Sequence, residues 1–438
     1  MGKSQEKVIN RWLVVVGAIL IQLCLGAIYA WSVFTPYLTG KLLDPVNTFG
    51  FSNTQTVLIF SIGLASFAFT MVFAGRWQAK SGPRKVAMTG GILLGIGYIL
   101  GGLFGQSFIS QVIFIGLIGG AGIGFGYVCP IAVGMKWFPD KKGLITGLAV
   151  AGFGFGALIW VKLAGNWGHL LENFGVLRVF LIYGIVFVIA VLIGSIWMVN
   201  PPEGWKPKGW VPPEPKKGKP IASGDFKTSE MLRQPQFYSL WVMFIFSGMS
   251  GLMIIGIINL FGIDALQARG GFDTQSASAI AGTAMAVFYS LANGLGRIIW
   301  GTVSDKIGRK LSLFIMCLLQ GIMMLLFYIM GGNQYLLYLG ATIIGFNFGG
   351  NFALFPTATA DFFGTKNIGQ NYPWVFTAYG IGGIIGPIMA GIIKDAAKGT
   401  VSGWLPAFIV CGVACLIAAG IALSLKPPMA LASATKKR

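Results

Sequence analysis

The chain has 438 residues, of which 55% are hydrophobic and only 10% charged, and its mean hydropathy is +0.75. A soluble domain carries roughly 25% charged residues, so this composition excludes a water-wetted globule, and length counts membrane spans rather than soluble domains. The net charge of +19 would suit nucleic acid, but its distribution along the chain points to a membrane instead.

The first apolar run covers residues 12–39. It is longer than the roughly 7–15-residue core of a secretory signal and lacks a small-residue cleavage site before the next run, so it reads as a retained helix. Further runs follow at 54–79, 83–104, 110–137, 143–166 and 174–199, then at 236–263, 275–303, 311–330, 334–363, 370–396 and 403–425. Each can cross a hydrocarbon core about 30 Å thick. Each must be helical, because lipid offers no partner to an unpaired backbone group. The expectation is an all-α membrane protein of twelve transmembrane helices in two pseudo-symmetric six-helix bundles. The first occupies 1–199, a cytoplasmic Pro/Lys-rich linker 200–235, and the second 236–438.

Twelve spans place both chain ends on one side. That side collects Lys3, Lys7 and Arg11, then Lys80, Arg84 and Lys85, then Lys141 and Lys142. It also collects Lys206, Lys208, Lys216, Lys217 and Lys219 of the linker, Lys306, Arg309 and Lys310, and finally Lys436, Lys437 and Arg438. The opposite loops offer Lys41, Arg178, Arg269, Lys394 and Lys398. The positive-inside rule makes the rich side cytoplasmic, so the charge is a topology signal and no nucleic-acid partner is expected. The linker contains Pro201, Pro202, Pro207, Pro212, Pro213, Pro215 and Pro220, a composition that extends rather than packs.

A fixed shift of 226 residues superposes Gly75 on Gly301, Gly82 on Gly308, Gly119 on Gly345, Gly124 on Gly350 and Pro130 on Pro356. It also brings Gly154 and Gly156 onto Gly380 and Gly382. Parallel repeats of this kind build transporters whose solute binds near mid-membrane between the halves. The five cysteines all fall in apolar runs and the chain has one histidine, His169. No nucleophile–base pair or metal cluster is assembled within the spans, so neither an enzyme, a metal nor a cofactor is expected.

Arg76, Arg84, Lys85, Lys136, Arg178 and Lys394 sit at the ends of these runs, and the two basic residues singled out within the spans are Lys162 and Arg297. Lys162 lies one turn from the outer helix end, where its stem can snorkel. Arg297 lies six residues from the expected inner end of the eighth span, and its Cβ leans toward the membrane middle. An Arg at depth costs about 2.5–3.5 kcal/mol on insertion scales, a cost that marks a polar cavity. Its fork suits a carboxylate in bidentate geometry. The repeat places Met71 at the equivalent position, so the cation is no part of the scaffold. Asn293 shares its face one turn earlier. Tyr127 can offer a hydroxyl just before Pro130, and Phe153 and Tyr379 are repeat equivalents.

After the eighth span the chain reads Gly301-Thr-Val-Ser-Asp305-Lys-Ile-Gly308-Arg309-Lys310, and Gly75, Gly82, Arg84 and Lys85 fit the same loop in the first half, with Ala79 in place of an Asp. These loops resemble the signature of the major facilitator superfamily. A closer resemblance runs through Trp137-Phe-Pro-Asp140-Lys-Lys-Gly143, Asn200-Pro-Pro-Glu-Gly-Trp205, Glu230-Met-Leu-Arg233-Gln-Pro235-Gln-Phe237, Ala353-Leu-Phe-Pro356 and Asp361-Phe-Phe-Gly364. It is to the oxalate/formate antiporter branch, related to the monocarboxylate transporters.

That resemblance implies two rocking bundles with Arg297 as carboxylate ligand, and Ile28, Tyr29, Phe348, Phe352 and Phe376 along the site. It also implies that Tyr379 stands where oxalate antiporters carry a second cation, a Lys. One cation balances one carboxylate. The expected function is therefore secondary, proton-coupled transport of small monocarboxylates such as lactate or pyruvate, with oxalate:formate exchange as the alternative. The implied partners are an organic acid anion, a proton and the bilayer of a prokaryotic cytoplasmic membrane, with a functional monomer.

Overall fold

The computed structural model describes residues 9–40, 42–165, 167–202, 204–207, 209, 225–396 and 400–428, without the side chains of 53 and 394–396. Lys3, Lys7, Lys41, Lys208, Lys216, Lys217, Lys219, Lys398, Lys436, Lys437 and Arg438 lie outside these residues. So do Pro212, Pro213, Pro215, Pro220 and the side chain of Lys394.

Twelve helices among the described residues are long and apolar enough to cross a membrane. They are α1 (Arg11–Leu38), α2 (Thr54–Ser81), α3 (Pro83–Phe104), α4 (Phe108–Trp137), α5 (Lys142–Ala164) and α6 (Leu170–Ser195) in the first bundle. The second holds α7 (Pro235–Gly270), α8 (Thr274–Ile307), α9 (Arg309–Met330), α10 (Gln334–Phe363), α11 (Ile368–Ile393) and α12 (Val401–Ser424). The bundles meet along two seams, α5 against α8 and α2 against α11. Large apolar side chains such as Phe73, Ile109 and Ile329 are exposed on the outside, as a lipid-facing surface requires.

Three helices depart furthest from the hydropathy reading. α6 starts and ends four residues earlier than 174–199, α7 runs on from 263 to Gly270, and α8 runs on from 303 to Ile307. The extensions carry Asp264, Gln267 and Arg269, or Ser304, Asp305 and Lys306. A helix keeps its own hydrogen bonds beyond the hydrocarbon, so its apolar signal stops before it does. The linker also differs from an extended tether at its ends. Trp205 packs on Trp137 with ring centroids 4.8 Å apart, while Thr228–Met231 forms a short helix. Beside that helix, the Asn371 amide donates to the Phe226 carbonyl (2.9 Å).

Three of these helices are interrupted along their length. α1 passes through a 3₁₀ stretch at Gly26–Ala30. α4 and α8 each contain a π-helical stretch, Val112–Gly119 and Ala284–Tyr289. Such wide turns collect at functional sites. The one in α8 ends a single turn before Asn293.

The first and last described residues, Ile9 and Pro428, and the α2–α3, α4–α5, α8–α9 and α10–α11 connections lie at one face, the basic face. There α2 and α8 stop at Gly82 and Gly308, whose φ of +82° and +88° favours glycine. The seams close tightly just inside. A Cβ on Gly301 would stand 2.3 Å from the Gly143 carbonyl oxygen, and one on Gly75 would stand 2.2 Å from that of Gly369.

At the α5/α8 seam the Asp305 carboxylate accepts the Gly143 and Leu144 N–H groups (3.2 and 3.1 Å). These are first-turn donors of α5 that no intrahelical acceptor can reach. Asp305 also pairs with Arg309 (2.8 Å), Arg309 with Asp361 (2.8 Å), and Asp361 with Lys142 across the seam (3.3 Å). Arg84, which fits the loop motif of the first half, takes no part in this latch. The 226-residue shift equates it with Lys310, Pro83 stands opposite Arg309, and the Arg84 guanidinium instead donates to the Ile196 carbonyl within its own bundle.

Candidate functional site

Arg297 is completely buried. Because α8 extends to Ile307, it lies ten residues from that helix end, or about 15 Å at 1.5 Å per residue. The last four of those residues, Ser304–Ile307, form the polar extension of the helix, so the depth expected from the sequence is unchanged, and the full burial of the side chain is what departs from snorkelling. Its Nε donates to Asn293 Oδ1 (2.9 Å) on its own helix, and its Nη1 donates to the Val150 carbonyl of α5 (2.9 Å) in the other bundle. The guanidinium carbon sits 4.0 Å from the Phe352 ring centroid and 5.2 Å from that of Phe153, within cation–π range. Among the described residues no acid lies within ion-pair distance of it.

Two of five guanidinium N–H groups are therefore engaged, and the fork seen along its Nε edge is closed. Nη2 is buried without a partner, as are Asn293 Nδ2 and the Tyr127 hydroxyl. The Tyr127 and Tyr29 hydroxyls both face the Arg297 guanidinium. Buried polar groups normally find partners. Three orphans around one cation form a set of donors suited to an oxyanion, approached end-on through Nη1 and Nη2.

The walls are aromatic. Tyr29 donates to or accepts from Tyr379 across the bundles, hydroxyl to hydroxyl, at 2.7 Å. Tyr379 stacks on Phe376 with centroids 4.8 Å apart, Phe376 lies 5.2 Å from Tyr127, and Tyr29 is edge-on to Phe153 at 4.9 Å. Phe348 sits 5.2 Å from Phe352 and 6.1 Å from Tyr29. All are buried, so solvent reaches the cluster from neither face.

The structure thus gathers Arg297, Asn293, Tyr127, Tyr379, Phe376, Phe348, Phe352, Phe153 and Tyr29. It does not gather Ile28. Successive residues of a 3₁₀ turn point about 120° apart, so with Tyr29 facing the centre, Ile28 turns into the first bundle. There its Cδ1 approaches Gly63, and it lines a separate small cavity with Ile59, Phe60 and Tyr98.

Two contributors escaped the sequence reading. Phe67 of α2 packs 5.0 Å from Tyr127, 4.9 Å from Phe376 and 5.6 Å from Tyr379. The 226-residue shift equates it with Asn293, so the repeat contained its signal. The Val150 carbonyl is backbone, and no residue type announces it.

The sequence profile of the Major Facilitator Superfamily matches residues 14–288 and again 271–438. The chain is 32% identical over 377 residues to YhjX of Escherichia coli (strain K12), an uncharacterized MFS-type transporter, covering 86% of each chain. It is 27% identical over 431 residues to the oxalate:formate antiporter of Oxalobacter formigenes, covering 98% of this chain and 94% of that one. To apicoplast pyruvate carrier 1 of Toxoplasma gondii it is 24% identical, covering 84% of this chain and 81% of the carrier. With two profile matches spanning both bundles, the chain is a multi-pass membrane protein and belongs to the major facilitator superfamily.

Proposed function

We propose that this protein is a secondary transporter of small monocarboxylates, working by alternating access, with Arg297 holding the carboxylate. One observation carries the reading. A fully buried guanidinium has no acid partner among the described residues, and Arg297 Nη2, Asn293 Nδ2 and the Tyr127 hydroxyl around it are unpaired. An uncompensated buried cation is costly, and a carboxylate would supply both the charge and the acceptors. With Tyr379 supplying a hydroxyl rather than a second cation, one carboxylate matches the site and a dianion exceeds it. Names of relatives fit an organic acid cargo: one exchanges oxalate for formate and another carries pyruvate. The basic face is taken as cytoplasmic.

Proton coupling would run through the cargo. Neither the cluster nor its aromatic walls include a histidine or an acid among the described residues, so a proton would travel as part of the carboxylic acid, weakening the Arg297 pair before release. Anion exchange is the second reading, favoured by the match to the oxalate:formate antiporter over 98% of this chain.

Uptake into proteoliposomes decides between them. Labelled lactate should accumulate with an inward proton gradient, compete with pyruvate, and resist oxalate. Arg297→Gln should lower uptake efficiency by at least about thirtyfold, the lower end of the cost of stripping a buried charge pair. Lactate movement that ignores the gradient but needs anion inside would favour exchange. Unimpaired uptake by Arg297→Gln would remove the substrate reading.

A further inference from the structure

The two seams of the basic face share a backbone arrangement, yet their charges differ. Under the 226-residue shift the Gly301–Gly143 contact becomes Gly75–Gly369, and the two close approaches agree within 0.1 Å (2.3 and 2.2 Å). The residues at the first turn of α5, Gly143 and Leu144, become Gly369 and Gln370 at the first turn of α11. Asp305, whose carboxylate fills the first seam, becomes Ala79.

Where that carboxylate would lie, the α2/α11 seam has a small cleft of about 30 Å³, partly open to solvent, lined by Gln78, Ala79, Lys136, Lys366, Gly369 and Gln370. The bond across this seam is neutral, from the Gln78 amide to the Gly369 carbonyl (3.3 Å). Lys136 is half-buried, and its ammonium meets the neutral Asn200 Oδ1 at 3.1 Å. Lys366 is exposed; Asp225 accepts its backbone N–H (3.0 Å) but does not line the cleft. Among the described residues no acidic side chain enters.

We propose that this cleft is a second anion site, separate from Arg297, which takes a small oxyanion (a carboxylate or a phosphate) in the place that Asp305 occupies in the other seam. Three features favour an anion there: the partial positive charge of the α11 N-terminus with the Gly369 N–H, the Gln370 N–H being bonded to the Asn367 carbonyl (2.9 Å), the two ammonium groups, and the carboxylate that fills the equivalent place in the same molecule. The lining comes from both bundles, Gln78, Ala79 and Lys136 from one and Lys366, Gly369 and Gln370 from the other. The site is therefore complete when the basic face is closed, and an anion binding it shifts the molecule toward that state. The ligand need not be the transported acid. A free anion and an acidic lipid headgroup present the same chemistry.

The test uses full-length Arg297→Gln protein, so that the central cluster is out of play, with spin labels on Lys85→Cys and Lys310→Cys at the basic face. Both positions are exposed, whereas the native cysteines are buried. In nanodiscs of neutral lipid at constant ionic strength, inorganic phosphate or acetate should move the label distances toward the short, closed population. Nanodiscs doped with phosphatidylglycerol and no added anion form the lipid arm. A response in the first arm alone identifies a free solute, and a response in the second alone a headgroup. Lys136→Gln should raise the half-saturating phosphate concentration about fivefold. Ala79→Asp should show the closed population without added anion and no further response. No shift in either arm would overturn the proposal, as would a shift undiminished in both variants. A failed transport assay leaves these distances unaffected, so the two readings fail separately.

Discussion

Arg297 is held by an amide oxygen and a backbone carbonyl, both neutral, which fixes the plane of the guanidinium while leaving its charge available. Tyr379, across the cluster, contributes a hydroxyl bonded to Tyr29. Tyr379→Lys would place a second cation there with the Tyr29 hydroxyl as a ready acceptor. Oxalate should then compete against lactate at least about tenfold better, the ratio that 1.4 kcal/mol of added pairing yields; competition uptake measures it. Arg297 was legible in the sequence because a charged residue in an apolar run is expensive, and Asn293 because it shares the Arg297 face. Ile28 came from the resemblance, and the 3₁₀ turn sets it about 120° from Tyr29, against Gly63 of its own bundle. The phenylalanines carried little signal singly, since an aromatic ring in a span packs equally well on lipid, on its own bundle or at the centre.

At the level of elements, the latch joins the end of α8 to the first turn of α5. Asp305→Asn keeps the shape and removes the charge that the α5 N–H groups and Arg309 meet. The loss of about 1–2 kcal/mol should change the closed-to-open ratio of the basic face by roughly 5–30-fold, readable as increased cysteine labelling in the seam. Gly301→Ala should part the same seam by steric means, because its Cβ would meet the Gly143 carbonyl at 2.3 Å. It should lower the melting temperature, whereas Gly391→Ala, whose Cβ would meet nothing within 4 Å, should not. Helix positions were readable from run length, since lipid thickness sets it. The breaks at Gly26–Ala30 and Ala284–Tyr289 were not, because a 3₁₀ or π turn alters hydrogen bonding without altering composition.

For the whole molecule, the central cluster is sealed, and two of its bonds, Tyr29 to Tyr379 and Arg297 to Val150, run from one bundle to the other. Turnover must break them. Replacing Lys142 and Asp361, whose charged atoms lie 3.3 Å apart, with cysteines and bridging them with a bifunctional methanethiosulfonate reagent, whose arm replaces the lost side-chain length, should stop uptake, and reductant should restore it. The repeat was visible as a register of glycines because helix contact distance constrains both halves alike. Where cargo or latch chemistry acts, the halves part company: Met71 opposite Arg297, Ala79 opposite Asp305, Pro83 opposite Arg309. The acceptor that Val150 gives Arg297 belongs to the main chain, so every residue tried at position 150 retains it, and a mutational scan there reads the packing of a buried side chain and not this bond. Its contribution emerges only if the 150–151 amide is exchanged for an ester, whose carbonyl is a poorer acceptor, so the pattern of tolerated side chains at this point says nothing about mechanical importance.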